Sequence, residues 1–356
     1  MNMSEPETYA LGQGTAAHNR AMSRLRAEAD TAGPPDEPTR VWLDRDRTPE
    51  GVMRSLTIIL NTGGCRWADE GGCTMCGYVA EATETVTEAD LDTQLEQALA
   101  YEAEEAHQRA PMVKIYTSGS ALDDRELTPD FREHLAQRLS DRERLVLESL
   151  PQFVDADRLE PFVSQAIDVD IAIGLETADD RIRRDCVNKL FSFADFERAC
   201  ETATAVGAGV KAYLLLKPPF LTEQEAIDDM VESVRACGTI DACHTVSMNP
   251  TNVQRYTMVD EQYFHGGYRP PWLWSVVAVL KATADVDAIV TSDPVGAGSD
   301  RGPHNCGDCD ERVERAIEDF SLRGDPSVFE QVDCTCQQTW EAVCEREHGY
   351  SQPLAK

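Results

Sequence analysis

The chain lacks long apolar runs. No stretch approaches the about 18 apolar residues that a membrane-spanning helix requires, and the opening segment MNMSEPETYALGQGTAAHNR has no apolar core of signal-peptide length. Both absences argue against membrane insertion and secretion. We therefore expect a cytoplasmic protein that has no contact with a membrane.

Basic residues, and lysine above all, are also scarce. The 33 basic residues face 64 acidic ones, which gives a formal net charge of −31, and only six of the basic residues are lysine. With 42% hydrophobic residues the chain should still fold. An acidic, arginine-rich surface favours a halophile, because at molar salt the Debye length falls to about 3 Å and self-repulsion is screened. Net acidity therefore does not exclude an RNA partner, which would be bound through local arginine contacts and stacking.

Disulfide bonds are not expected, although the chain has 12 cysteines. At 356 residues it is far longer than the secreted scaffolds that disulfides staple, and the cytoplasm is reducing. Metal or cluster ligation is the better interpretation for cysteines at ligand spacing. Four others show no such spacing, and we expect them in the core: Cys186, Cys200, Cys237 and Cys243.

The hydrophobic pattern divides the chain into three regions. Residues 1–50 form a polar N-terminal extension, residues 51–265 alternate strand-like and helical segments, and residues 266–356 form a C-terminal cysteine-rich region. Six strand candidates begin near residues 55, 112, 144, 168, 210 and 244. This alternation predicts an α/β fold, a partial, TIM-like (β/α)6 barrel with a small appendage. In such a barrel, chemistry takes place at the carboxyl ends of the strands.

The strongest candidate site is the segment CRWADEGGCTMCGY, which follows the first predicted barrel strand. Seven residues separate Cys65 from Cys73, and two separate Cys73 from Cys76. Three thiolates leave one iron of a 4Fe-4S cluster open, where S-adenosylmethionine (SAM) can chelate and be split into a radical. The alternatives are a structural zinc with a distant fourth ligand, or inert buried thiols.

Polar residues at four later strand ends complete the predicted site. A serine-glycine turn can hold the amino or carboxylate group of SAM, strand-end carboxylates can accept hydrogen bonds from its ribose or ammonium, and a strand-end ammonium can meet an anion. These residues are Ser118, Gly119, Ser120, Glu148, Glu176 and Lys217. The alternatives are an ordinary loop, solvated acids and a solvated lysine.

The C-terminal region holds a second set of cysteines. Cys306 and Cys309 form a CxxC pair, and Cys334 and Cys336 follow after a gap of 24 residues. Four thiolates can close a tetrahedral zinc site, while a second iron-sulfur cluster would use the same ligands. Buried cysteines without a metal are the third interpretation.

An aromatic patch precedes those cysteines. Tyr268, Trp272 and Trp274 would either stack on nucleobases or pack as a hydrophobic plug at the end of an incomplete barrel. We favour the plug.

Several motifs resemble the radical SAM family that includes Elongator-like enzymes, and within it the archaeal archaeosine synthase radical SAM subunits. Besides the cysteine loop they are TSGS at 117–120, ESLP at 148–151, GLET at 174–177, LKPPFLTEQEAI at 216–227, NPTNVQRYT at 249–257, YRPPWLWS at 268–275 and RGPHNCGDCD at 301–310. The resemblance spans about residues 50–345 and includes no acetyltransferase domain after the barrel, which an Elongator-like catalytic subunit would have.

This resemblance implies a radical SAM lyase of transfer RNA (tRNA) modification that uses a 4Fe-4S cluster on Cys65, Cys73 and Cys76. The implied substrate is a D-loop 7-cyano-7-deazaguanine that already carries a lysine adduct, and cleavage of the lysyl carbon-nitrogen bond would give archaeosine. The implied partners are tRNA, the lysine-transferring subunit of archaeosine synthase, and an electron donor such as ferredoxin or flavodoxin.

One departure from the family and two rival functions remain. The family commonly has arginine after Glu-Ser, whereas Leu150 follows Ser149 here and offers no charge to the SAM carboxylate. The first rival is another radical SAM RNA-modifying enzyme, of the thiolating or carboxymethylating type. The second is a non-catalytic metal-binding subunit that presents tRNA to a partner and does not cleave SAM.

Overall fold

The protein is built on one curled, mostly parallel sheet. The computed structural model describes residues 13–29, 33–83, 85–165 and 167–350. The strands are β1 (Arg40–Thr48), β2 (Gly51–Ile59), β3 (Met112–Tyr116), β4 (Arg144–Ser149), β5 (Asp168–Glu176), β6 (Gly209–Leu216), β7 (Cys243–Pro250) and β8 (Ile289–Ser292). They lie side by side in chain order, with β1 antiparallel to β2 and every later pair parallel. The sheet curls so far that β1 also contacts β8.

Helices connect the strands, and most of the longer helices cover the outer face of the sheet. They are α1 (Gln13–Arg26), α2 (Arg66–Asp69), α3 (Glu88–Glu105), α4 (Pro129–Arg138), α5 (Ala156–Val163), α6 (Asp180–Ile182), α7 (Phe193–Ala205), α8 (Glu223–Cys237), α9 (Met258–Phe264), α10 (Leu273–Ala282), α11 (Asp310–Arg323) and α12 (Cys336–Tyr350). Capping boxes at Thr87, Ser192 and Thr222 satisfy the free amides at the starts of α3, α7 and α8. Among the described residues, no helix is both long and apolar enough to cross a membrane.

The predicted α/β barrel-type fold is confirmed, and its six predicted strands correspond to β2 to β7. The sheet is wider than predicted, because β1 comes from the region expected to be an extension and β8 from the C-terminal region. Charged residues interrupt the apolar pattern of β1, and β8 has only four residues. Neither strand therefore gives a strong signal in the sequence. The division of the chain into three domains stays a prediction.

The two faces of the sheet differ in polarity. Residues that point outward toward the helices are apolar and fully buried, as Ile58, Ile115 and Leu147 show. Their neighbours on the inner face include Thr57 and Lys114, which are polar although also buried. Because the helices seal only the outer face, the inner face is left to line a cleft.

The aromatic patch packs in the core. Tyr268, Trp272 and Trp274 are each at most 8% exposed, which confirms the packing interpretation and leaves no face free for a nucleobase. The four cysteines without ligand spacing are buried as well, as predicted: Cys186, Cys200, Cys237 and Cys243.

One buried ion pair ties α3 to the start of β4. The Arg142 guanidinium donates to both carboxylate oxygens of Glu102 at 2.8 and 2.7 Å, and each side chain is 2% exposed. Burial alone would raise the pKa of Glu102, but the hydrogen bonds from Arg142 and the Ala110 amide outweigh it and lower the pKa. The pair is therefore fully charged at neutral pH.

Replacing Glu102 should destabilise the fold strongly. We expect Glu102→Gln to reduce the free energy of unfolding by about 3–5 kcal/mol, because it leaves the Arg142 charge buried without its partner. Since the pKa of Glu102 is lowered by folding, this stabilisation is present above the unfolded pKa and is lost as the pH falls through the folded value. Denaturant unfolding measures both effects. Glu96→Gln, which breaks the exposed pair of the same helix with Arg138, is the matched control and should cost at most about 1 kcal/mol; equal costs would contradict the prediction.

Candidate cluster site and interior cleft

A large cleft of about 2580 Å³ runs along the inner face of the sheet and opens at the carboxyl ends of the strands. Most of the predicted site residues line it: Cys65, Cys73, Cys76, Ser118, Gly119, Glu148 and Glu176. The parallel strands bring these residues together because their carboxyl ends share one edge.

The three cysteines lie on the loop between β2 and α3, which we call the cysteine loop (residues 60–87). Gly71 and Gly72 have positive φ values of 128° and 77°, which turns the chain between Cys65 and Cys73. The turn is held from the other side of the barrel, since the Asn188 amide donates to the Gly72 carbonyl at 2.8 Å. The Thr74 hydroxyl likewise donates to the Cys186 carbonyl at 2.6 Å.

Helix α1 also holds the cysteine loop. The Arg26 guanidinium donates to the carbonyl of Gly71, to that of Cys73 at 3.4 Å and to that of Cys76 at 3.1 Å. One side chain therefore contacts the backbone on both sides of the CxxC turn. No sequence pattern predicts this role of Arg26, since α1 shows only a modest helical pattern.

The three thiols are half-buried and close enough to repel one another when ionised. Burial, with the neighbouring Cys76 and Glu126, raises the pKa of Cys65 to about 11. Burial also raises the pKa of Cys73, although the Lys189 ammonium opposes that shift. The thiols of Cys65 and Cys73 are consequently neutral at physiological pH, and binding of a metal or cluster would displace their protons.

The TSGS turn lies directly against the cysteine loop. A side chain at Gly119 would come within 2.8 Å of the Cys65 Cβ, so only glycine allows this approach. Ser118 faces the cleft. Ser120 does not, because it is buried and its hydroxyl bonds to the Ser149 hydroxyl at 3.0 Å. Ser118 and Gly119 are thus available to a ligand, and Ser120 positions the turn.

The two strand-end carboxylates have different environments. Burial raises the pKa of Glu148 to about 8, and its carboxylate accepts a hydrogen bond from the Thr117 amide at 3.1 Å. Glu176 instead accepts a hydrogen bond from the Lys189 ammonium, in a pair whose side chains are each 12% exposed. Of these two carboxyl groups, Glu176 forms an ion pair and Glu148 does not.

The prediction that the Lys217 ammonium lies in the site at the end of its strand is wrong. Its ammonium bonds to Glu223 at 2.6 Å, and both side chains are buried behind the strands rather than in the cleft. Glu223 is held further by the Trp272 amide and the Ser275 hydroxyl. Lys217 follows β6 directly, and its left-handed backbone, with φ of 61°, turns its side chain into the core. Lys217 thus stabilises the packing of α8 against α10.

Lys189 supplies the cleft with the ammonium expected from Lys217. Its Nζ donates to the Gly174 carbonyl at 2.6 Å and lies near Cys73 and Cys76. It follows Asn188, a residue in the left-handed conformation that ends the helical turn after β5. Sequence spacing could not identify it, since it does not lie at a strand end. Leu150 also lines the cleft and adds no charge.

The C-terminal cysteines come together as predicted. The sulfur of Cys306 lies 3.9 Å from that of Cys309 and 3.8 Å from that of Cys334, and the sulfurs of Cys309 and Cys336 are 3.6 Å apart. All four lie within 4.8 Å of one another and form a candidate metal site. The Trp274 indole donates to the Cys336 sulfur at 3.2 Å, which joins the site to the aromatic core.

We expect Arg26 to be needed for assembly of the cysteine loop. Arg26→Gln removes the fork that binds three loop carbonyls, so we expect about a tenfold loss in affinity for iron during anaerobic reconstitution. Iron and sulfide per chain, and protease cleavage of the iron-free loop, are the measurements. Arg24→Gln, an exposed change on the same helix, is the control. Wild-type iron loading together with wild-type protease resistance in Arg26→Gln would contradict this role.

Comparison with known proteins identifies close relatives. Archaeosine synthase subunit beta of Methanosarcina acetivorans is 39% identical over 346 residues, which cover 94% of this chain and 99% of the relative. The subunit of the same name from Thermococcus kodakarensis is 37% identical over 315 residues, which cover 85% of this chain and 96% of the relative. No family model matches the chain.

Among solved structures, the similar proteins include the archaeal Elp3 of Methanocaldococcus infernus, with a TM-score of 0.48, 13% identity, and coverage of 76% of this chain and 63% of that one. The radical S-adenosylmethionine methyltransferase TsrM of Kitasatospora setae has a TM-score of 0.41 and 16% identity, and the match covers 60% of this chain and 37% of that one. The two relatives in sequence match nearly end to end and carry the same name. The chain belongs to the archaeosine synthase subunit beta family.

Proposed function

We propose that the protein is a radical SAM lyase that completes archaeosine in tRNA. The observation that carries the proposal is the convergence of Cys65, Cys73 and Cys76 at the mouth of the cleft, in a chain of this family. The proposed reaction cleaves the lysyl carbon-nitrogen bond of a lysine-adducted 7-cyano-7-deazaguanine in the D-loop and leaves the amidine of archaeosine.

The cysteine loop fits an iron-sulfur cluster better than a single zinc ion. A zinc ion draws four ligand atoms tightly around one centre, and within the described chain the sulfurs of Cys65, Cys73 and Cys76 do not form such a compact set. In a 4Fe-4S cluster each thiolate binds its own iron, so the sulfurs stand farther apart. Three thiols also leave one iron open for SAM.

Cluster and SAM, when bound, supply the 5'-deoxyadenosyl radical that abstracts a hydrogen atom from the substrate. The neighbouring residues bind and orient. Ser118 and the Gly119 backbone lie beside Cys65 and suit the amino acid end of SAM. Burial raises the pKa of Glu148 to about 8, although the Lys189 ammonium opposes that shift, so its protonated carboxyl group can donate or accept a hydrogen bond at neutral pH. Lys189 offers the positive charge that Leu150 does not.

Further proposals concern the partners and the solvent. The relatives are named as subunits of a synthase, which supports a lysine-transferring partner subunit and tRNA as the substrate. We also propose a reduced ferredoxin or flavodoxin as electron donor. The net charge of −31 supports a cytoplasm of high salt, so the assays below are designed for molar potassium chloride.

Loss of one cysteine should abolish the chemistry but not RNA binding. In Cys73→Ala, only two thiols remain on the loop, so we expect no 5'-deoxyadenosine above background after anaerobic reconstitution and reduction in the presence of SAM. Binding of tRNA should be unchanged. Cys200→Ala, a buried cysteine outside the site, is the control that should retain turnover.

The substrate decides between the proposal and its rivals. The wild-type protein should form 5'-deoxyadenosine much faster with lysine-adducted tRNA than without it, and archaeosine should appear in the RNA. SAM cleavage without that stimulation would favour another radical SAM modification. Absence of SAM cleavage in the wild type would favour the non-catalytic subunit, and SAM cleavage that survives in Cys73→Ala would contradict the assignment of the cluster to the cysteine loop.

We propose zinc, rather than a second cluster, at the C-terminal site. Sulfurs at the corners of a tetrahedron around zinc, each at about 2.3 Å from the metal, are about 3.8 Å apart. The separations of 3.6 to 3.9 Å match this value. A cluster would hold the same four sulfurs farther apart.

Metal analysis tests this assignment. Aerobically purified protein should contain one zinc per chain, and Cys309→Ala should contain none and unfold at lower denaturant, because the site joins the starts of α11 and α12. Cys344→Ala, a change on α12 outside the four ligands, should keep its zinc. Iron and sulfide at this site in a variant that lacks all three loop cysteines would show a cluster instead.

A further inference from the structure

The inner face of the sheet carries an ion cluster that the proposed chemistry does not use. Asp46 of β1 bonds to the Lys114 ammonium of β3 at 2.7 Å, and the Lys211 ammonium of β6 lies 3.8 Å from the same carboxylate. We call these three residues the interior ion cluster. All three line the cleft, although their side chains are at most 18% exposed.

Asp46 and Lys211 of the interior ion cluster are charged at neutral pH. Burial alone would raise the pKa of Asp46, but the two lysines lower it to about 2. Lys211 keeps its proton because its interactions with Tyr213 and Asp46 outweigh burial. Two ammonium groups thus share one carboxylate, and Lys211 is the one held at the longer distance.

The fold does not require charges at this level. Met112, Val146 and Ala172 lie on the same inner face and form a small apolar cluster. A buried ion pair often stabilises a fold no better than apolar side chains of the same volume would. The neighbouring hydroxyls of Tyr116 and Tyr213 bond to each other. This part of the cleft therefore offers positive and negative charges, and hydroxyls that can donate or accept hydrogen bonds.

The surrounding acids determine which ligand fits. Asp44 and Asp293 line the cleft beside the interior ion cluster, whereas Asp170 is occupied by Arg144 and His244. A phosphate would meet the repulsion of three carboxylates. A zwitterion matches the site better, because its carboxylate can bind the ammonium groups while its own ammonium meets the acids.

We infer that the interior ion cluster binds the α-carboxylate and α-ammonium of the lysyl adduct, an inference that rests on the proposed function. Lys211 takes the carboxylate, and Asp46 with the tyrosine hydroxyls takes the ammonium. Along β3, Lys114 precedes the strand end at Tyr116 by two residues, or about 7 Å, and the TSGS turn beside the cysteine loop lies beyond that end. A lysyl chain anchored at the interior ion cluster therefore points its far end toward the cysteine loop.

Three RNA substrates test this anchor. The base carries an adduct of lysine, of 1,5-diaminopentane, which lacks the carboxylate, or of 6-aminohexanoate, which lacks the α-ammonium. With the wild type we expect kcat/KM for each incomplete adduct to be about 10- to 100-fold lower than for the lysine adduct, the loss expected when a charged hydrogen bond is removed.

Variants assign the carboxylate contact to Lys211. Lys211→Met should lower kcat/KM for the lysine adduct by about 10- to 100-fold. Its kcat/KM for the diaminopentane adduct should equal that of the wild type, so that the preference for a carboxylate disappears. Lys211→Arg keeps the charge and should restore part of the preference. Lys281→Met, an exposed change on α10, is the control, and an unaltered cluster EPR spectrum shows that the variants are folded.

Either of two results would overturn the inference: equal turnover of all three adducts by the wild type, or an equal loss on all three in Lys211→Met. If SAM is cleaved but no adduct reacts, the proposed function fails on its own. Calorimetric titration with Nε-acetyllysine then still tests the inference. If the wild type binds this ligand and Lys211→Met does not, the inference is supported. If the wild type does not bind it, the inference is overturned.

Discussion

The cysteine loop must satisfy its backbone with groups from elsewhere in the chain. Among its described residues, 60–83 and 85–87, it contains only the four-residue α2 and one 3-10 turn, so most of these amides and carbonyls have no partner within a helix or strand. Three distant segments supply the partners: Arg26 of α1, the turn at Asn188, and the segment that places the Met258 amide on the Thr74 carbonyl at 3.0 Å. Regions that are far apart in sequence therefore depend on one another through this loop. A change in any of them should shift the positions of the cysteines.

The cleft exists because the sheet is open. A closed barrel would fill its interior with side chains, as parallel barrels ordinarily do. Here the inner face is polar near the cysteine loop, with Glu148 and Glu176, and charged again deeper down at the interior ion cluster. Val146 and Ala172 lie at the level of the interior ion cluster, on the two strands between Lys114 and Lys211. The floor of the cleft at this level is therefore apolar, with charged groups on either side.

The sequence was sufficient for the barrel-type fold without its two outer strands, β1 and β8, and for the residues that depend on local pattern. β2 to β7, the strand-end turn at Gly119 and both cysteine sets follow from periodicity and spacing, which are properties of short segments. Positions that depend on closure of the barrel could not be predicted in the same way. Lys217 ends a strand yet turns into the core, because its left-handed backbone and the buried Glu223 draw it away. Lys189 reaches the cleft from a turn that has no sequence signature.

The scarcity of lysine carries information that composition alone did not show. Five of the six lysines fall within the described residues, and Lys281 alone among those five is exposed. The other four have ammonium groups in ion pairs inside the protein: Lys114, Lys189, Lys211 and Lys217. Arginine supplies nearly all the positive charge of the surface, whereas the interior uses both lysine and buried arginines such as Arg142 and Arg183. In an acidic chain of this kind, an isolated lysine in an apolar strand is therefore a better sign of an interior charged site than it would be in an ordinary protein.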